Sequence, residues 1–301
     1  MRIVTIALAL AGTAALAEGE RVTVITPYLA QPGTQFYLDG FQAEAEARGW
    51  EVNVVDTAGD VAAVVSRLED AATQGVDAVV INVDPAQVEA GLLQVQAAGI
   101  PVVGMDAGAS PLLATNVTSN GYAMAAETAA YLVNRLGGEG RVVMFTFDPF
   151  PPVQARGVIA DAVFANTPGI EVVDRITPDV QDGGIADSRA RMEAVLAANP
   201  DPGSINGVWA AWDQPALGAL QAIEAAGRAG EGIVVTGIDA NPQAREAIAA
   251  GGPFEASVAQ DFQGIGKAAA DAVGRLLAGE TIREPVTFVP TTLVTQANAA
   301  G

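Results

Sequence analysis

Short apolar runs rich in valine and isoleucine alternate with longer alanine-rich stretches along most of this 301-residue chain. Nine short runs predict strands, at 22–26, 52–56, 78–82, 101–105, 142–147, 171–176, 207–211, 233–238 and 256–260. Eight longer stretches carry apolar residues at helical spacing, at 36–48, 62–74, 86–98, 123–136, 153–166, 186–198, 215–226 and 264–277. Strands that alternate with helices in this way predict an α/β fold.

Continuous valine and isoleucine runs, as in 78–82, occur among the strand candidates instead of strict alternation with polar residues, which is typical of parallel strands buried on both faces. We therefore predict doubly wound parallel sheets, in which ligands bind beyond the carboxyl ends of the strands. Asp60 and Asp213 are predicted helix N-caps, and Gly75, Gly99 and Gly251 are predicted helix ends.

The first 17 residues have the pattern of a cleavable secretory signal peptide. Arg2 precedes an apolar run, and the run ends in Ala15-Leu16-Ala17, a small-x-small pattern that signal peptidases cut. The run is shorter than the roughly 20 apolar residues of a membrane-spanning helix. The sequence thus predicts an exported protein, most simply a periplasmic one, since no cysteine is present to carry a lipid anchor.

Composition excludes several kinds of function. The chain has no cysteine and no histidine, so thiol chemistry and Ser-His-Asp catalysis are excluded, and we expect no metal site and no cofactor. Its formal net charge of −20 disfavours nucleic acid and anionic membranes as partners. The length predicts two domains of about 100–200 residues each.

An ordered set of short motifs follows the predicted strands. The motifs are PYLAQP at 27–32, FYLDGF at 36–41, GVDAVVIN at 75–82, GIPVVGMD at 99–106, ARG at 155–157, WDQPALGA at 212–219, GID at 237–239 and VAQ at 258–260. In this order and spacing the chain resembles the periplasmic sugar-binding proteins of the ribose-binding family, the type I solute receptors of ABC importers.

That resemblance implies two similar lobes joined by a three-strand hinge, with the ligand held between them and the hinge closing around it. The first lobe would comprise residues 18–119 and 261–289, and the second residues 120–260 and 290–301. The hinge crossings would lie near Ser119, Gln260 and Phe288.

The resemblance also implies the ligand-binding residues. The expected set is Gln31, Thr34, Asp106, Gln154, Trp212, Asp239 and Gln260. Asp106 and Asp239 match carboxylates that accept hydrogen bonds from sugar hydroxyls, although either could cap a turn instead. Gln31 and Gln260 match amide positions, with a solvated loop residue and a hinge-stabilising amide as their alternatives.

Several positions depart from the family pattern. Ala107 and Gln154 stand where the family carries arginines, and Gly33 and Thr34 stand where it carries two aromatic residues. An acidic or phosphorylated ligand is therefore disfavoured, because arginine is the usual partner of those groups. Arg156 matches a position outside the family's contact set, and we interpret it as structural.

Two further aromatic features follow from the same comparison of motifs. Trp212 replaces an asparagine and could stack on a sugar ring, or could simply pack at the strand end. Tyr28, Phe147 and Phe150 lie in predicted loops and could replace the missing aromatic pair.

The leading hypothesis is a receptor that binds a neutral monosaccharide or sugar alcohol and passes it to a membrane ABC permease. The expected protein is a monomer, and a chemoreceptor is a possible second partner. One alternative keeps the fold but takes a nucleoside, an autoinducer or another small solute as ligand. A second alternative is a secreted hydrolase that uses Asp106 and Asp239 as its catalytic carboxylates.

Overall fold

The structure is a computed structural model that describes residues 19–300, so the predicted signal peptide lies outside the described residues. The strands are β1 (Arg21–Thr26), β2 (Glu51–Asp56), β3 (Ala78–Ile81), β4 (Val102–Met105), β5 (Thr115–Ser119), β6 (Glu139–Phe145), β7 (Gly169–Ile176), β8 (Gly207–Ala210), β9 (Val234–Asp239), β10 (Phe254–Gln260), β11 (Val286–Val289) and β12 (Thr291–Thr295). The helices are α1 (Pro32–Arg48), α2 (Val61–Gln74), α3 (Glu89–Ala97), α4 (Gly121–Arg135), α5 (Pro151–Ala165), α6 (Ile185–Ala198), α7 (Asp213–Ala225), α8 (Pro242–Ala250) and α9 (Phe262–Leu277).

The described strands form two six-stranded sheets. The first has the order β11-β5-β4-β3-β1-β2, and the second has the order β12-β10-β9-β8-β6-β7. Neighbouring strands of residues 19–300 are parallel, apart from the antiparallel pair β10 and β12. This arrangement confirms the predicted α/β fold with two parallel-sheet lobes.

Each sheet has a separate apolar core on each of its two faces, which explains the continuous valine and isoleucine runs. All four residues of β3 are buried, as are all four of β8. Trp209 of β8 is fully buried, and its indole Nε1 donates to Thr128 Oγ1 at 3.0 Å. Within residues 19–300 no helix is long and apolar enough to cross a membrane.

The chain passes three times between the sheets, after Ser119, after Gln260 and between β11 and β12. Helix α4 follows the first crossing and packs on α5, next to strands of the second sheet. Helix α9 follows the second crossing and packs on α1, next to strands of the first sheet. Residues distant in sequence therefore meet at the same edges of the two sheets.

Three strands and one helix were absent from the sequence prediction. β5 was missed because polar threonine and asparagine side chains interrupt its apolar pattern, although all five of its residues are buried. β11 and β12 are short edge strands on either side of Pro290, and α8 is only nine residues long. Short elements of this kind carry little periodicity.

The cap predictions are partly confirmed. Asp60 caps α2 by accepting from the backbone N–H of Ala63 at 3.0 Å, and Gly75 ends that helix in the left-handed region with φ 61°. The prediction for Asp213 is wrong, because Trp212 occupies the N-cap position of α7. The Asp213 carboxylate is instead turned towards the loop that follows β9.

Candidate functional site

A cavity lies between the two lobes at the carboxyl ends of the parallel strands. The space between its walls is about 550 Å³, including the part open to solvent. Its lining comprises Tyr28, Gln31, Gly33, Thr34, Tyr37, Asp106, Phe147, Phe150, Val153, Arg156, Val180, Trp212, Gln214, Asp239, Gln260 and Phe262. Six of the seven predicted site residues are among them, and a cavity of this size suits a small organic ligand.

Gln154 is the predicted site residue that the structure places elsewhere. Its side chain is exposed on α5 and does not line the cavity, whereas Arg156, interpreted above as structural, lines it and is 3% exposed. Two residues along an α-helix differ in direction by about 200°, so only one of this pair can face the cavity. The site therefore contains a guanidinium group, but residue 156 contributes it instead of residue 154.

Asp106 directly follows β4, and its backbone lies in the left-handed region, with φ 53°. Asn82 supports this turn by donating its Nδ2 to the carbonyl oxygens of Met105, at 2.9 Å, and Asp106, at 3.2 Å. Asn116 supports it from the other side, since its side-chain amide exchanges two hydrogen bonds with the backbone of Ala107, at 3.0 and 2.8 Å. Two buried amides therefore hold a backbone conformation that a non-glycine residue rarely adopts.

Thr34 and Tyr37 form the floor of the cavity on the first lobe. Their hydroxyl oxygens are 3.3 Å apart, and Asn82 Nδ2 also approaches the hydroxyl of Tyr37, at 3.2 Å. These contacts connect the floor to the support of Asp106.

Asp239 ends β9 in the second lobe in a comparable way, with φ 124°. The buried Asp213 carboxylate accepts from the backbone N–H of Asn241 at 2.8 Å and from the Ser257 hydroxyl at 2.7 Å. Ser257 in turn accepts from the backbone N–H of Ala240 at 2.9 Å. Asp213 therefore holds the turn that aims Asp239 at the cavity, which explains why it does not cap α7.

Arg156 connects Asp239 to the end of β8 within the second lobe. Its Nη1 donates to the backbone carbonyl of Ala211 at 2.7 Å and lies 3.5 Å from Asp239 Oδ1. Gln260, at the second crossing, donates its Nε2 to the same Oδ1 at 2.7 Å. Among residues 19–300, Arg156 Nε, Gln260 Oε1 and Gln214 Nε2 are buried and have no hydrogen-bond partner.

The carboxylates of the site outnumber its cation. Burial raises the pKa of Asp106, and the charge of Arg156 and the hydrogen bond from Thr118 oppose that shift only in part. Burial raises the pKa of Asp239 to about 6, against the lowering effects of Arg156 and Gln260. Burial and then the charge of Asp239 raise the pKa of Asp213 well above its ordinary value. One guanidinium thus faces three buried carboxyl groups.

An aromatic wall, formed by Tyr28, Phe147, Phe150 and Trp212, closes one side of the cavity. The ring of Tyr28 lies 5.0 Å from that of Phe150 and 6.4 Å from that of Phe147. Phe147 also lies 6.4 Å from Trp212, which is 7% exposed. The rings meet at interplanar angles of 60° to 89°, and together they give the cavity an apolar surface that suits the C–H side of a sugar ring.

Sequence reasoning missed several lining residues. Tyr37 and Gln214 lie inside two of the quoted motifs, at 36–41 and 212–219, and these motifs are the signal that could have found them. Phe262 begins α9 directly after the second crossing, and the motif at this crossing predicted only Gln260 as a site residue. Val153 and Val180 carry no chemical signal.

The residues present do not suggest a metal centre. In the part of the chain that the structure describes, no group of three histidine, cysteine, aspartate or glutamate side chains could hold a metal ion. Asp106 and Asp213 already have hydrogen-bond donors within the protein, and Asp239 has both Gln260 and Arg156.

Comparisons with known proteins agree on one architecture. A family model described as "Periplasmic binding protein domain" matches residues 22–281. The ribose import binding protein of Bacillus subtilis is 31% identical over 260 residues, 85% of this chain and 81% of that protein. A putative rhizopine-binding protein of Rhizobium meliloti is 30% identical over 270 residues, 84% of this chain and 82% of that protein.

A solved structure is similar over almost the whole chain. The solute-binding protein of an Agrobacterium vitis ABC transporter, with bound allitol, is 30% identical and superposes with a TM-score of 0.86. The match covers 94% of this chain and 97% of that one.

Proposed function

Because this chain belongs to the periplasmic binding protein family, we propose that it binds a neutral monosaccharide or sugar alcohol in the interlobe cavity and delivers it to an ABC permease. Members of this family are transport receptors and not enzymes, and the same holds for this chain. The relatives named above for ribose and allitol support a polyhydroxylated ligand.

The observation that carries the proposal is the pairing of buried polar groups with an aromatic wall. A sugar hydroxyl both donates and accepts, so it can donate to Asp106 or Asp239 and accept from Arg156. The carbon face of the same ring can pack on Trp212 and its neighbours. Sugars and polyols offer both kinds of surface.

The charge balance supports a ligand without a negative group. The one guanidinium in the cavity wall already lies beside Asp239, and Asp106 adds a further buried carboxylate. A ligand carboxylate or phosphate would face two like charges and find no unpaired arginine. A neutral polyol, by contrast, would supply hydroxyl donors to both carboxylates.

We assign the binding roles to residues from both lobes and the hinge. Asp106 and Asp239 accept from ligand hydroxyls, Arg156 donates to a ligand oxygen, and Trp212 packs against the ring. Additional polar contacts come from Gln31, Thr34 and Gln260. Arg156 thus takes the place first expected for Gln154.

In this proposal one lobe comprises residues 18–119 and 261–289, and the other comprises residues 120–260 and 290–301. The two lobes would close on the ligand by hinge motion at the three crossings. The family is periplasmic, and export by cleavage after Ala17 completes this proposal. We expect the receptor to be a monomer. The permease, and also a chemoreceptor, would bind its closed form.

The aromatic wall favours a second candidate ligand, a nucleoside or another small aromatic solute. Six aromatic rings line the cavity, four of them in the aromatic wall, and a planar base could stack on the face of Trp212. The same fold and the same hinge closure would serve such a ligand.

A thermal-shift screen of the refolded protein tests the proposed function. Unfolding and refolding removes any bound solute, and the panel contains pentoses, hexoses, sugar alcohols, inositols and nucleosides. A ligand present at 100 times its Kd is expected to stabilise the protein by about 2.7 kcal/mol. A shift with nucleosides alone would replace the sugar by the second candidate, and no shift with any compound would contradict both.

Affinity is expected to fall on acidification, about tenfold between pH 7 and pH 5. Hydroxyl donors favour the ionised form of Asp239, and the pKa of this group in the ligand-free protein is raised to about 6, so a proton competes with the ligand below that pH. Calorimetric titrations from pH 5 to pH 8 measure the effect, and Asp239→Asn should bind weakly with a shallower profile, to which Asp106 still contributes. A wild-type profile without this slope would remove Asp239 from the binding site.

The raised pKa of Asp239 has the opposite effect on stability, which increases as the pH falls. A carboxyl whose pKa is higher in the folded than in the unfolded state stabilises the fold below its unfolded pKa, and this stabilisation is lost as the pH rises through about 6. Asp239 therefore stabilises the ligand-free protein more at pH 5 than at pH 7, although the ligand binds less tightly there.

A further inference from the structure

The two lobes touch each other at a rim outside the ligand cavity. Gln87 lies in a 3-10 turn, Pro85–Val88, between β3 and α3, and its Nε2 donates to the backbone carbonyl of Pro149 at 2.7 Å. Pro149 lies between β6 and α5 of the second lobe. Gln87 is exposed and, like Pro149, does not line the cavity, so this bond joins the lobes without a ligand contact.

A glycine allows close approach beside that bond. A Cβ built on Gly108 would lie 3.1 Å from Pro151 Cγ of the second lobe and 3.2 Å from Pro85 Cδ of its own lobe. These distances are shorter than an ordinary van der Waals contact between carbon atoms, about 3.5–4.0 Å. Any side chain at 108 would therefore act as a wedge between the two lobes.

We propose that Gln87 and Gly108, in contact with Pro149 and Pro151, form a rim latch that sets the balance between the closed and open forms. The latch determines affinity without touching the ligand. This inference rests on the proposed hinge motion, but not on the identity of the ligand.

The latch has a characteristic energetic consequence. Its contacts exist in the closed form alone, so their loss lowers the closing equilibrium constant by one factor, whichever ligand is bound. A residue that contacts the ligand would instead affect different ligands unequally. Because water replaces the Gln87 bond in the open form, the expected factor for its loss is about threefold to tenfold.

Two variants test the latch. Gln87→Ala removes an exposed side chain and should fold normally, whereas Gly108→Val introduces the wedge and should have the larger effect. Gln94→Ala, at an exposed position on α3 of the same lobe, is the matched control. The melting temperature of each ligand-free variant shows whether it is folded.

The first readout needs no ligand. The chain has no cysteine, so Glu69→Cys on α2 and Glu224→Cys on α7, both exposed positions, can carry a donor and an acceptor dye in separate lobes. Single-molecule energy transfer then measures the fraction of closed molecules. We expect this fraction to fall in Gln87→Ala and further in Gly108→Val, but not in Gln94→Ala.

The second readout is affinity for two probes, D-ribose and allitol. We expect Gln87→Ala to weaken both by the same factor, through faster dissociation. A loss confined to one probe, or unchanged affinity together with an unchanged closed fraction, would overturn the latch. If neither probe binds the wild type while the closed fraction still falls in both variants, the latch stands and D-ribose and allitol are excluded as ligands.

Discussion

Asp106→Asn is expected to weaken ligand binding by about 10- to 100-fold and, at the same time, to stabilise the ligand-free protein. Asp106 is 4% exposed, and its carboxylate faces the cavity from the end of β4. A hydrogen bond from a hydroxyl to a charged carboxylate contributes about 1.5–3 kcal/mol, and an amide oxygen accepts a weaker one. Asparagine keeps the shape of the side chain, so the loss is one of charge and not of packing.

The gain in stability has a separate cause. Burial raises the pKa of Asp106, which means that the folded protein disfavours its charged form near neutral pH. A neutral amide removes this cost, while the turn itself is still held by Asn82 and Asn116. Functional sites commonly retain such unfavourable groups because binding requires them.

Titration calorimetry and urea unfolding measure the two effects of Asp106→Asn. The matched control is Asp39→Asn, on the exposed face of α1 in the same lobe, which should change neither quantity appreciably. Unchanged affinity in Asp106→Asn would remove the carboxylate from the binding site. A loss of both affinity and stability would indicate that Asp106 acts through the fold.

Arg156→Met is expected to destabilise the protein by about 3–5 kcal/mol and to abolish measurable binding. The side chain is 3% exposed, and its Nη1 lies 3.5 Å from Asp239 Oδ1 and 2.7 Å from the carbonyl oxygen of Ala211. Removal of one partner of a buried ion pair leaves the other charge without compensation. Here the remaining charges are those of the Asp239 and Asp106 carboxylates, and because proton uptake by Asp239, whose pKa is about 6, limits the penalty at pH 7, we expect a loss in the lower part of that range.

Urea unfolding at pH 7 measures the loss of stability in Arg156→Met, and two further variants show its cause. Arg67→Met breaks a surface pair with Asp70, at 2.8 Å and about half exposed, and should cost less than about 1 kcal/mol. The double variant Arg156→Met with Asp239→Asn should recover part of the stability but none of the binding. A single Arg156→Met variant as stable as the wild type would show that Asp239 carries a proton at pH 7.

Most of the fold could be predicted because buried parallel strands leave a simple pattern. A strand covered on both faces is largely apolar, so β1, β3, β4 and β8 are visible as short, mainly apolar runs, of which AVVI in β3 is the clearest. β5 escaped prediction because its polar side chains perform tasks that a pattern cannot show. Thr118 donates to Asp106, and Asn116 holds the backbone of Ala107.

The sequence predicts those site residues whose role follows from their position along the chain. It does not predict those whose role depends on the direction in which the side chain points. Asp106 and Asp239 directly follow apolar runs, so their place at the sheet edge follows from the parallel arrangement. The choice between Gln154 and Arg156 depends on the rotation of α5 about its axis, which the sequence motif does not specify. The role of Asp213 depends on Ser257, 44 residues away, and could not be inferred from a local cap pattern.

The most direct test of a sugar or polyol receptor is calorimetric titration of the refolded wild-type protein with the compound that shifts its melting temperature most. We expect one site per chain, tighter binding at pH 7 than at pH 5, and recovery of the compound unchanged afterwards. Recovery of a different compound would show catalysis by the carboxylates, and the absence of binding heat with every sugar and polyol would contradict the proposed function.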